Sequence, residues 1–270
     1  MILLDAHNHL QDDALAPYRE AVVRDLESLG ITRAVVNGTT ERDWEAVAAL
    51  AREYPWVIPS YGLHPWYVAQ RSPEWKEHLL SCVEARGCGI GEIGLDRWME
   101  NPDFETQKEV FLWQLRLAAR LNLPASIHCL KAWGALSEIL SKEPRPACGF
   151  LLHAYSGPVE MVDGFARLGA YFSFSGYFLH PGKAARLEPF RHIPADRLLV
   201  ETDAPAMPLP PERNRHPLPD TAEGHPVNHP GNLVAVYEGL AELRGETPEA
   251  LATQVASNFN RLFGALIERR

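Results

Sequence analysis

Two imidazoles lie two residues apart near the start of the chain, in Asp5-Ala6-His7-Asn8-His9-Leu10. Residues so spaced on a strand project to the same side, so His7 and His9 can reach one cation. Four further side chains of metal-ligand type, Glu92, His128, His153 and Asp203, each stand at or just past the end of a short apolar run. A single tetrahedral ion with an open position is served by three protein ligands, and six groups exceed that demand. They suit two ions about 3.5–4 Å apart with a carboxylate between them. Imidazole and carboxylate without thiolate suit Zn, Mn, Fe or Co, and also tolerate Mg. An H-x-H pair alone is weak evidence; the other four groups at corresponding positions give it weight. His64, Asp96 and Glu201 end or follow similar runs. Cys129 adjoins His128, but strand alternation points it to the opposite face, so the thiol is left out of the site.

These side chains need a scaffold that gathers strand ends. Short runs suited to strands recur at Met1–Ala6, Arg33–Asn37, Val57–Gly62, Cys88–Ile93, Pro124–His128, Gly149–His153, Ala170–Ser175 and Arg197–Glu201. Each is largely apolar and bounded by Gly, Pro or a charged residue, as expected of strands buried on both faces. Segments with helical spacing lie between them; in Glu105 to Leu121, Val110, Trp113, Leu117 and Leu121 fall on one stripe. Helix-start signals precede three others, at Thr40, at Ser72-Pro73 and at Thr247-Pro248. Eight strands alternating with helices predict an α/β fold, a (β/α)8 TIM barrel, as a single domain over residues 1–270. A doubly wound sheet would call for a glycine-rich phosphate turn after the first strand, and DAHNHL has no glycine. In a barrel the carboxyl ends of the strands share one rim, where active sites are built. The stretch from Ala204 to Pro230 carries eight prolines and follows the last strand, a place suited to a substrate-covering loop.

The balance of charge narrows the partners. A net charge of -9 gives no general attraction for nucleic acid or an anionic membrane, so any polyanion must be drawn locally, as by a metal. The four cysteines form no C-x-x-C pair, the N-terminus lacks a signal-peptide pattern, and no run is long enough to span a bilayer. The expectation is a reduced, cytoplasmic enzyme with no membrane segment and no obligate protein partner.

Read in order, His7-x-His9 within DAHNHL, GLHP (62–65), GEIGLD (91–96), SIH (126–128), HAYSG (153–157) and ETDAP (201–205) resemble the TatD-type metal-dependent hydrolases, a deoxyribonuclease family among the amidohydrolase barrels. SNFNRLFG (257–264) is similar to the closing helix of that family. The resemblance implies that His7, His9, Glu92 and Asp203 hold one divalent ion. It implies that Glu92, His128 and His153 hold a second, with Glu92 as the bridge. It further implies that a metal-bound hydroxide attacks a phosphodiester of DNA ends or small fragments, Asp203 orienting or deprotonating the water. His64 and Asp96 would then touch substrate or support ligands, and Glu201 would orient a ligand or cap its strand.

Two features depart from that family. The histidine of the fifth strand is commonly followed there by serine and arginine; here the order is Cys129, Leu130, Lys131. Lysine lacks the bidentate fork, and its neighbour position points it elsewhere. Asn228-His229-Pro230 replaces Asn-Glu-Pro, and Arg213 and Arg215 in the preceding loop are weak candidates for phosphate contacts. These departures keep a second reading open, a metal-dependent hydrolase of a small amide, ester, lactone or phosphate monoester. Trp66 and Trp98 suit base stacking and barrel capping equally, whereas Trp133 suits capping better.

Overall fold

The computed structural model describes residues 1–84 and 87–268. Eight strands follow in chain order: β1 (Leu3–Asn8), β2 (Ile31–Asn37), β3 (Val57–Tyr61), β4 (Gly89–Asp96), β5 (Ala125–Leu130), β6 (Phe150–Leu152), β7 (Ala170–Ser175) and β8 (Leu198–Glu201). They form one sheet in the order β1 to β8, each pair parallel. β1, β3, β4 and β7 are buried along their whole length, so the polar side chains they carry, among them Asp5, His7 and Glu92, must find partners inside the protein. Past the end of β8, the chain is tied back to β1 by backbone and side-chain hydrogen bonds. The Asp203 N–H donates to His7 O (3.0 Å) and the His9 N–H to Ala204 O (2.7 Å). The Asp5 carboxyl accepts from the Thr202 N–H (3.1 Å) and Thr202 Oγ1 (2.6 Å), so β1 and the end of β8 are held at the level of the proposed ligands. Tyr237 Oη donates to Leu4 O (3.0 Å).

The helices are α1 (Arg19–Ser28), α2 (Trp44–Glu53), α3 (Trp75–Glu84), α4 (Phe104–Leu121), α5 (Trp133–Lys142), α6 (Val162–Arg167), α7 (Glu188–His192), α8 (Leu233–Arg244) and α9 (Pro248–Ile267). Thr247 caps α9 as expected, its side chain accepting from the Ala250 N–H (3.2 Å). Thr40 does not begin α2, which starts at Trp44 after a turn in which Asp43 accepts from the Thr39 and Thr40 N–H groups.

Two differences from the expected elements bear on the site. β4 and β5 run past Ile93 and His128, pairing Gly94 with His128 and Asp96 with Leu130. The stripe expected on α4 is also rotated. Leu121 is exposed and Trp113 only half-buried, while Gln107 and Gln114 are buried with Val110, Phe111, Leu115 and Leu117. Their amides explain this, because each satisfies both polar groups of one backbone residue, which burial requires. Gln107 bonds the N–H and C=O of Asp96 (2.8 and 3.0 Å), and Gln114 those of Leu63 (2.8 and 3.2 Å). One helix thus fixes the two segments that carry His64 and Asp96. From α9, Asn258 Nδ2 donates to Ala195 O and Leu198 O (2.7 Å each) and anchors the start of β8.

Only the first part of the long loop faces the rim: Pro205 to Pro208 border the cavity there. The remainder folds outward along the helices, with Arg213 paired to Glu242 (2.6 Å) and Arg215 to Glu238 (2.5 Å) on α8. These two arginines pin the loop and are absent from the cavity lining, which corrects their assignment as phosphate contacts.

Candidate active site

Glu92 projects from the middle of β4 and is buried. Its two carboxylate oxygens face different groups. Oε2 lies 3.4 Å from His7 Nε2 and 3.2 Å from His9 Nε2, and those nitrogens lie 3.6 and 3.4 Å from Asp203 Oδ1. Oε1 lies 3.1 Å from His128 Nδ1, 2.8 Å from His153 Nε2 and 3.3 Å from His64 Nε2. The two sets are continuous, since the His7 and His153 rings stack at 4.1 Å.

The outer partner of each imidazole decides which nitrogen carries the proton, and so which can ligate. His9 Nδ1 lies 2.7 Å from the Asn37 carbonyl, which can only accept; Nδ1 therefore keeps its hydrogen, and Nε2 is the nitrogen turned to the carboxylates and the one that would ligate on losing its proton. His128 Nε2 donates to Asp96 Oδ2 (2.9 Å), leaving Nδ1 as the nitrogen turned inward. His7 Nδ1 meets the Ser126 hydroxyl (2.7 Å), which serves as either donor or acceptor. His64 is the reverse case: its Nδ1 accepts the Trp66 N–H (3.2 Å), so Nε2 carries the proton and donates to Glu92. His64 is therefore placed to hold the carboxylate, although its position alone would qualify it as a ligand. His153 Nδ1 faces Glu201 Oε1 at 3.5 Å, while the Ser173 hydroxyl bonds the other Glu201 oxygen.

Electrostatics follow from the same geometry. Burial works against ionisation of Glu92, but the charge of His153 and the surrounding imidazole hydrogen bonds outweigh it and hold the carboxyl well below its ordinary range. Asp203 is likewise kept low, by the His9 hydrogen bond and its neighbours, against the effect of burial. The carboxylates raise His9 and His153 well above the usual imidazole value despite burial, so the centre favours positive charge between its ligands. Burial pushes the Cys129 thiol up, so it supplies no thiolate.

A cavity of about 1110 Å³ opens over this centre. Several of its residues carried no signal in the sequence. Lys183 and Arg186 lie in the segment between β7 and α7 and border it. Lys131, expected to point elsewhere, also lines it, because the left-handed backbone at this residue (φ 52°) ends the strand alternation. Leu130, Trp66, Trp98 and Trp133 border it as well, Trp133 half-buried and packed edge-on against Tyr155 at 4.7 Å.

His229, in the loop that follows β8, is buried beside Asp25 and His216. Its Nδ1 accepts the Gly231 N–H (2.8 Å), which leaves the proton on Nε2, 3.4 Å from Asp25 Oδ2. That nitrogen has no lone pair for an ion, so the group reads as a loop anchor on α1.

The comparisons with known proteins agree with this architecture. The sequence model described as "TatD related DNase" matches residues 4–264. An uncharacterized metal-dependent hydrolase, YjjV of Escherichia coli K12, is 29% identical over 263 residues, covering 96% of this chain and 97% of its own. A 3'-5' ssDNA/RNA exonuclease TatD of Erwinia tasmaniensis is 31% identical over 264 residues, covering 97% and 99%. The crystal structure of YjjV superposes with a TM-score of 0.86 over 97% of this chain and 98% of that one. That of a TatD family hydrolase from Entamoeba histolytica, 19% identical, shares the fold at a TM-score of 0.82 over 97% of both chains. No described helix is long and apolar enough to cross a membrane. With its eight-stranded barrel, its His/Asp/Glu centre on the rim and a match spanning nearly all its residues, the chain belongs to the TatD-related DNase family.

Proposed function

We propose that this chain, acting as one domain, is a metal-dependent phosphodiesterase that removes nucleotides from nucleic-acid ends. The observation that carries the reading is the division of Glu92 between two sets of imidazoles, with Nε2 of His9 and Nδ1 of His128 turned inward. The donor set fits two divalent ions: His7, His9, Asp203 and Glu92 would hold one, and Glu92, His128 and His153 the other. When bound, such ions neutralise charge on a phosphoryl group and lower the pKa of water.

The chain's own residues do the remaining work. Asp203 is ionised and accepts a proton from the attacking water. His64 holds Glu92 through Nε2–H, so the carboxylate does not rotate between its two faces. Asp96 fixes the His128 tautomer and Glu201 lies against the outer nitrogen of His153, both positioning roles of the kind that sustain metal affinity. Relatives named as 3'-5' ssDNA/RNA exonucleases support nucleic acid as the substrate.

The uncharged Leu130 at the cavity border favours a second reading, hydrolysis of a small ester, amide, lactone or phosphate monoester. End-labelled single-stranded DNA separates the two. With Mg, Mn or Zn supplied, the expected result is progressive shortening that EDTA and Asp203→Asn abolish. A protein that carries metal and leaves every labelled strand intact would overturn the phosphodiesterase reading in favour of the second.

A further inference from the structure

Trp66 sends both of its N–H groups into the centre while its ring stays on the cavity border, 42% exposed. The backbone N–H, in the short turn Pro65–Gln70 that follows β3, donates to His64 Nδ1 (3.2 Å). The indole N–H, which can only donate, reaches Asp96 Oδ2 (2.7 Å) at the end of β4, 30 residues further on. Both acceptors lead to one oxygen. His64 Nε2 lies 3.3 Å from Glu92 Oε1. Asp96 Oδ2 takes the His128 Nε2–H (2.9 Å), and His128 Nδ1 lies 3.1 Å from the same Glu92 oxygen. The rings also meet edge-on, Trp66 with His64 at 5.2 Å and His64 with His128 at 4.5 Å.

Asp96 is fully buried and absent from the cavity lining, so nothing in the cavity touches it directly. Its Oδ1 is occupied by the backbone N–H groups of Trp98 (2.6 Å) and Met99 (3.3 Å), which belong to its own turn. Its Oδ2 is shared by the Trp66 indole and His128. The indole is therefore the bond that ties this oxygen to the neighbouring β3 side of the barrel. A buried carboxylate oxygen that loses a donor turns toward another or admits water, and the ring it orients turns with it.

We propose that Trp66 is a positioning residue for the Oε1 side of the centre. Its indole N–H holds Asp96, which holds the His128 ring, and its backbone N–H holds His64 against Glu92. One residue after β3 thus sets two imidazoles around one carboxylate oxygen. The role rests on the two-ion reading of the donor set and is independent of which ester is hydrolysed. The opposite side is backed separately, His9 by the Asn37 carbonyl and His7 by Ser126, so Trp66 bears on one ion of the two.

Trp66→Phe tests this, because it keeps the backbone N–H and an aromatic ring and removes only the indole N–H. Trp98→Phe is the control: Trp98 is the more exposed, at 60%, and meets Asp96 through its backbone alone. Metal-free protein is titrated with Zn against a chromogenic chelator. Wild type and Trp98→Phe should take up two ions with matching affinities, whereas in Trp66→Phe one of the two should weaken about tenfold and the other hold. In the metal-free proteins, nitrogen-edited NMR should show the His128 Nε2 hydrogen exchanging about tenfold faster in Trp66→Phe. Asp96→Asn completes a cycle: with the indole acting through Asp96, adding Trp66→Phe to it should change Zn affinity by less than about twofold. Zn affinities and exchange rates in Trp66→Phe equal to those of wild type would overturn the role, as would losses fully additive with Asp96→Asn. Turnover of end-labelled DNA is scored separately. A weakened ion without any cleavage by wild type leaves the positioning role standing and removes the phosphodiesterase. Cleavage whose KM rises in Trp66→Phe, with Zn affinity and exchange unmoved, does the opposite and makes Trp66 a substrate contact.

Discussion

Gly94→Ala tests how β4 and β5 bring the two halves of the centre together. Gly94 has φ 153°, a conformation L side chains rarely adopt, and it pairs with His128. A Cβ at that position would lie 2.0 Å from the His128 carbonyl oxygen, 2.8 Å from its carbonyl carbon and 2.9 Å from its nitrogen. Carbon and carbonyl oxygen approach to about 3.3 Å at closest, so the strands must part by about 1.3 Å. All three obstructing atoms are backbone, so no rotamer change relieves the clash. Backbone strain of about 1–3 kcal/mol and overpacking of about 1–3 kcal/mol add to roughly 4 kcal/mol of destabilisation. At about 2–4 °C per kcal/mol, the melting temperature should fall by about 8–16 °C.

The displacement falls on Glu92 and His128, now 3.1 Å apart, so activity should drop about 100-fold in whatever protein remains folded. Urea unfolding of the metal-free protein gives the stability change, and metal analysis with initial rates gives the second effect. Gly164→Ala in α6 is the control: nothing lies within 4 Å of its would-be Cβ, and helix propensity should add about 0.5–1 kcal/mol. A Gly94→Ala protein within about 1 kcal/mol of wild type, with its metals retained, would refute the close-approach reasoning.

Three more outcomes are expected. Glu92→Gln removes the charge shared by both proposed ions, so bound metal measured by elemental analysis should fall from two per chain to at most one, with activity down more than about 100-fold; an unchanged two would remove Glu92 as the bridge. Burial first, and then His216, hold His229 down to about 4. Because this folded value lies below the unfolded one, its contribution is present above about pH 6.5 and is lost as pH falls toward 4. His229→Asn keeps a capping oxygen without a titrating ring, and its urea midpoint should fall less steeply than wild type across that window; identical slopes would exclude His229 as a contributor. Arg213→Ala and Arg215→Ala, which break exposed pairs with Glu242 and Glu238, should change stability by less than about 1 kcal/mol and leave the KM for oligonucleotides within twofold.

The strands were legible because each is short, apolar and closed by a breaker, and because burial on both faces leaves little room for another pattern. Their ends needed more than local reading. β4 extends to Asp96 through a glycine whose role is to let β5 approach, and that role lies in the partner strand, not in GEIGLD. On α4, hydrophobic spacing misplaced the buried face because Gln107 and Gln114 are buried to satisfy backbone groups of Asp96 and Leu63, 11 and 51 residues away.

The candidate ligands were likewise visible as residue types at strand ends, since a barrel sends all such ends to one rim. Their chemical state was not. Which nitrogen an imidazole can offer to an ion beside Glu92 depends on its outer neighbour: Asn37 for His9, Asp96 for His128, the Trp66 backbone for His64. The loop cations divided in the same way. Arg213 and Arg215 are drawn off by glutamates on α8, while Lys131, Lys183 and Arg186 remain on the cavity wall. Periodicity and breakers act over a few residues and so specify strands, helices and the order of the rim. Partners far apart in the chain set proton positions, charge pairing and the lining of the cavity, and folding alone brings them together.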